Sequence, residues 1–213
     1  MLLKPGETVE LRPEGEGKDP VYRLRAPLLY DRVQLEAAVT RHGGKRHGAY
    51  ELLAALRADV VTAMADSDDA EQREALLARI DAQRARMAAF GQRVNAGDYD
   101  HRNEDEATWK RFLEDLAEVE KGDQDLAEII YHVLQLGGLY ATATAQNTAY
   151  PQIFAIEAAR LFLVGWDGVK ADFRRGPQGV PDQVLQAIPE AHRLAIGGRV
   201  DQLLKPDADT EKN

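Results

Sequence analysis

The five histidines, His42, His47, His101, His132 and His192, are the side chains best suited to metal binding or to proton transfer near neutral pH. None belongs to a His-x-x-x-His or His-Glu-x-x-His pair, the spacing that puts two imidazoles on one helix face as metal ligands. His42 and His47 bracket Gly43-Gly44-Lys45-Arg46. Backbone amides and a cation in such a loop could take an anion. The glycines lack phosphate-loop spacing and no Lys-Ser or Lys-Thr follows, so a surface turn accounts for the same residues. Residues 98–106 are dense in oxygen ligands, but Arg102 takes the third ligand slot of a calcium loop and Asn103 stands where its glycine belongs. An acidic loop leading into a helix N-terminus explains the same residues. Ser67 is the one serine, no Gly-x-Ser-x-Gly elbow exists, and there is no cysteine. Disulfides, thiolate nucleophiles and Cys-type zinc sites are therefore excluded. The sequence predicts no catalytic site, no cofactor and no metal, and hence a non-enzymatic protein.

The elements that position these residues change period at Pro27. Before it, Thr8-Val9-Glu10-Leu11 and Val21-Tyr22-Arg23-Leu24 alternate polar and apolar around a turn-rich segment, the signature of a β-hairpin. Such a hairpin is marginal alone and must pack on something. After it, the apolar spacing is helical. Helices are predicted over 28–41, 49–65, 68–94, 104–120, 125–143, 151–164, 181–187 and 189–204, with Ser67 as N-cap of the third and Gly122 as the break after the fourth. Strand is expected only within the first 30 residues. The fold class is mainly α: a multi-helix bundle with a short N-terminal β-hairpin and a protruding helical hairpin arm. The expected organisation is one domain over 1–213, with the hairpin at 1–27, the arm inserted at 66–122 and a flexible tail at 205–213.

Within the arm, Leu76, Ile80, Gln83, Met87, Phe90 and Val94 recur at spacings of 4 and 3, a coiled-coil-like seam interrupted by Gln83. Trp109, Phe112, Leu113, Leu116 and Val119 form the face of the next helix. Leu76, Ile80, Met87, Phe90, Trp109 and Phe112 are the candidate partner-binding residues. The alternative is that the two faces bury each other. Trp166, between Gly165 and Gly168, is expected to be buried and to anchor the turn after the sixth helix.

The net charge of −9 argues against broad nucleic-acid binding, which needs a basic face. The excess is local: residues 95–128 hold twelve acids and four bases, a patch suited to steering a basic partner or simply a solvated face. No segment has the apolar core of a secretory signal or the ~18 uninterrupted apolar residues of a membrane span, so no membrane partner is expected.

Two pieces carry a resemblance. Pro20-Val21-Tyr22-Arg23-Leu24-Arg25-Ala26-Pro27, leading into a helix that ends at His42-Gly43-Gly44, resembles the opening of certain small helical tail proteins of tailed bacteriophages. Leu161-Phe162-Leu163-Val164-Gly165-Trp166-Asp167-Gly168-Val169, followed by Gly179-Val180-Pro181, Ile188-Pro189 and a final Leu-rich helix, resembles their closing segment. The middle, 66–128, has no counterpart in the likeness. Such proteins resemble tail assembly chaperones, which hold the long tape-measure protein until tail-tube subunits polymerise around it. The resemblance implies a partner in the tape-measure protein or another tail protein and a place in the cytoplasm of the bacterial host; the apolar helix faces add self-association as a further option. It transfers no functional residue. The competing expectation is a structural tail or neck component of the virion.

Overall fold

The computed structural model describes residues 7–99 and 106–205. The chain is mainly helical with a small antiparallel sheet. It divides into two compact units, Met1–Arg46 with Gln146–Asn213, and His47–Ala145. The inserted unit is thus longer than the arm expected at 66–122. The tail expected at 205–213 lies, apart from Lys205, outside the described residues.

In the first unit, β1 (Thr8–Leu11) and β2 (Val21–Arg25) form the expected hairpin, in register Val9↔Leu24. A third strand, β3 (Leu163–Asp167), pairs antiparallel with β2, so strand is not confined to the first 30 residues. It supplies what an isolated hairpin lacks, a further row of backbone hydrogen bonds and an apolar face. Tyr22 lies opposite Trp166, their rings edge to face at 6.4 Å, and Arg23 pairs with Asp167. Trp166 is 7% exposed, so its expected burial holds, but it sits in a strand and not in a turn. Its indole N–H donates to the Ala171 carbonyl at 2.9 Å, and Phe173 meets its face edge-on. Helix α1 (Asp31–Arg41), α5 (Leu139–Phe162) from Gln146 onward, α6 (Asp182–Leu185) and α7 (Glu190–Leu204) complete this unit. Tyr22, Leu24, Leu35, Phe162, Ile188 and Ile196 are at the centre of its core.

The second unit holds α2 (Ala49–Ala63), α3 (Ala70–Ala96), α4 (Glu106–Leu136) and the first turns of α5. The N-cap of α3 is Asp69, which accepts the Gln72 amide at 2.9 Å; Ser67 instead accepts the amide of Asp69. Gly122 does not break the chain. It lies inside a single 31-residue helix, and the break falls at Gly137, whose φ of 70° is open to glycine and strained for other residues. Gly138 leaves room for the buried Asp59 carboxylate of α2, which accepts the amides of Leu139 (2.9 Å) and Tyr140 (2.8 Å) and so caps α5 from another helix. Pro151, expected to open a helix, lies within α5.

Helices α3 and α4 run antiparallel. Arg93 pairs with Asp115, Gln83 reaches Val119 and Asp123, and Arg86 pairs with Asp125. Leu53, Leu56 and Val60 of α2 pack with Leu77 and Ile80 of α3 and with Leu126, Ile129 and Val133 of α4. Farther along the hairpin, Phe90, Tyr99, Phe112 and Trp109 form a separate aromatic cluster with centroids 5.3–5.8 Å apart.

Candidate functional site

A half-open, mostly apolar groove of about 530 Å3 lies in the second unit. Three helices build it. The last turns of α2 bring Val60, Ala63 and Met64, and the first turns of α3 bring Gln72, Ala75, Leu76 and Arg79. The end of α4 brings Glu128, Ile129, His132, Val133 and Leu136. Val60, Ile129 and Val133 also belong to the buried core, so the groove is the open end of the core stripes of α2 and α4, with the neighbouring stripe of α3 beside it. Leu136 is 60% exposed at the edge.

The six sequence candidates separate. Leu76 is half-buried and lines the groove. Ile80, 1% exposed, is core and is withdrawn as a contact residue; α2 packs across it together with α4. Met87 is half-buried against the same core. Phe90 and Phe112 are half-buried in the aromatic cluster, and Trp109, stacked on Phe112, is 52% exposed. The alternative reading of mutual burial therefore describes Ile80 and largely Met87. Sequence reasoning missed Met64, Ile129, His132, Val133 and Leu136. The apolar stripe of α2 and the two apolar faces near the end of α4 were the available signals.

Tyr99 hydrogen-bonds Asp115, which also receives Arg93. These two hydrogen bonds hold the Asp115 carboxyl below its ordinary range. Electrostatically the units differ. The second carries twenty Asp and Glu against ten Lys and Arg, the first sixteen against seventeen. The net charge therefore resides in the unit that holds the groove.

The first unit contains two polar constellations. Glu157, 2% exposed, pairs with His42 Nδ1 at 3.0 Å and with Arg160 Nε at 3.1 Å. Arg160 also donates to Asp182 and to the Val180 carbonyl. This network borders a cleft of about 600 Å3 that includes Gln34, Arg41 and Gln178. Both Glu157 oxygens are occupied, and the network ties α1, α5 and the start of α6 together. In the second constellation, His192 bridges the Tyr22 hydroxyl (3.0 Å) and Glu14 (2.9 Å). Burial pushes the Tyr22 pKa up to about 12, which keeps the phenol protonated and unsuited to nucleophilic attack at neutral pH. No cluster of three metal-ligating side chains occurs among the described residues, and no described helix is long and apolar enough to cross a membrane. His101 and most of the acidic loop weighed as a calcium site lie outside the described residues.

An exposed turn completes the inventory. Leu28, Leu29 and Tyr30 are 53%, 85% and 68% exposed. Asp31 holds the turn by accepting the Leu28 amide and a two-pronged contact from Arg25, which lies over the Phe162 ring.

Comparison with family models, with curated proteins and with solved structures finds no match for the chain.

Proposed function

We propose that the protein is a non-enzymatic chaperone of bacteriophage tail assembly, holding a helical segment of the tape-measure protein in the groove between α2, α3 and α4. The observation that carries the reading is the groove itself, an apolar trough among helices with Leu76 and Leu136 on its walls. Its volume falls within the range of ordinary binding pockets, about 300–1,000 Å3. An amphipathic helix is a fitting occupant, because its i, i+3 and i+7 side chains project in one row that such a trough can take. A tape-measure protein is long and helical and exposes such rows before the tube closes around it. The resemblance at both ends of the chain supports the same assignment.

The test is made in a phage that encodes this chain. A nonsense mutation in its reading frame should give filled heads without tails, and mass spectrometry of purified wild-type particles should find no copy of it. Stoichiometric presence in finished tails would instead assign it as a structural tail or neck component.

A further inference from the structure

We infer that the groove selects a basic amphipathic helix and that Glu128 pairs with a lysine or arginine of that helix; this deepens the helix-binding reading above and rests on it. The floor, from Met64, Leu76, Ile129 and Val133, offers no charge and would accept any apolar row. Discrimination must come from the rim. Three rim groups carry or can carry charge: Arg79, Glu128 and His132. Arg79 is already engaged, donating to the Asp125 carbonyl of α4. His132 stands edge-on to Tyr131 at 5.5 Å. Glu128 is exposed and has no ion-pair partner among the described residues, whereas its neighbour Asp125, one turn earlier on α4, is paired with Arg86. It is therefore the carboxylate at the groove free to meet an incoming cation.

The wider field points the same way. Between the groove-lining Met64 and Gln72 the chain carries Asp66, Asp68, Asp69 and Glu71, all exposed, and no base, which repels an acidic helix near the groove and attracts a basic one. Rim charge acts mostly on association and is screened by salt, while the apolar row sets the lifetime of the complex.

Two synthetic helices on the full-length protein test this: an amphipathic 18-residue peptide with leucine at the row positions and lysine elsewhere, and its twin with glutamate for lysine. Fluorescence anisotropy at low salt should show the lysine peptide binding at least about tenfold tighter, with the preference shrinking as salt rises. Glu128→Lys should weaken the lysine peptide and strengthen the glutamate one. Leu136→Asn, a neutral change at an exposed position, should strongly weaken binding of both with an unchanged thermal melt. Equal binding of both peptides that Leu136→Asn weakens would overturn the charge inference and leave the groove reading standing. Binding indifferent to Leu136→Asn, or no binding at all, would overturn both. Self-association lost in Leu136→Asn would make the groove a contact between copies of this chain, and the inference would fall.

Discussion

The side chain of Gln83 is fully buried against Gly122 across the α3–α4 seam. Its Nε2 donates to the Val119 carbonyl at 3.0 Å and to Asp123 at 2.7 Å, while its Oε1 has no hydrogen-bond partner. A Cβ on residue 122 would lie 1.7 Å from that oxygen. A polar residue in an apolar seam fixes register, because sliding one helix past the other strands its hydrogen bonds.

Gly122→Ala should therefore destabilise the protein by about 1–3 kcal/mol, the usual range for overpacking, although alanine in a helix normally gains up to ~1 kcal/mol over glycine. In a Gln83→Ala background only the mobile end of Arg86, 2.7 Å from that Cβ, is left in the way, and the same change should become neutral or stabilising. Urea melts of the four proteins in this double-mutant cycle check the sign reversal; additive effects would show that the two residues do not meet.

Trp166→Ala should cost roughly 3–5 kcal/mol, as truncation of a large buried aromatic does. Trp166→Phe keeps an edge for Tyr22 but loses the hydrogen bond to Ala171 and should cost less. A loss below about 1 kcal/mol for the alanine variant would contradict the packing of β3 on the core.

Asp31 gives a pH dependence. Burial works to raise its pKa, but the hydrogen bonds from Arg25 and the Leu28 amide, with the charges of Arg25 and Arg175, outweigh it and hold the carboxyl below its ordinary value. A depressed folded pKa contributes stability that is present above the unfolded value, about 3.9, and is lost as pH falls through the folded one. Asp31→Asn should thus lower the melting temperature at pH 7, with the gap to wild type narrowing toward pH 3. A constant gap across that range would contradict the ionic role.

Asp59→Ala removes the cap at the start of α5 and should cost about 0.5–2 kcal/mol. The local readout is hydrogen exchange, which should accelerate first at the amides of Leu139 and Tyr140. Unchanged protection there would show that these amides have another acceptor.

Much of this fold was legible in the sequence because it follows from local spacing. The change of period at Pro27 separates strand from helix, and the Asp182–Leu185 and Glu190–Leu204 helices begin behind Pro181 and Pro189 as expected. What failed depends on neighbours distant in sequence. Leu163–Asp167 is a strand because Val21–Arg25 offers it an edge. Gly122 and Gly137 look alike as letters, yet one faces the buried Gln83 and the other adopts a positive φ. The seam through Leu76 and Ile80 is the spacing that suits two helices. Because α2 also packs on α3, the buried stripe runs through Leu77, Ile80 and Gln83, and Leu76 is left at the groove.

The most direct measurement of the central claim is site-specific photocrosslinking from position 136 during phage growth. A benzophenone amino acid placed there should give one dominant adduct with the tape-measure protein, present while tails assemble and absent from purified particles. An adduct only with other copies of this chain, or one that persists in finished tails, would contradict the account.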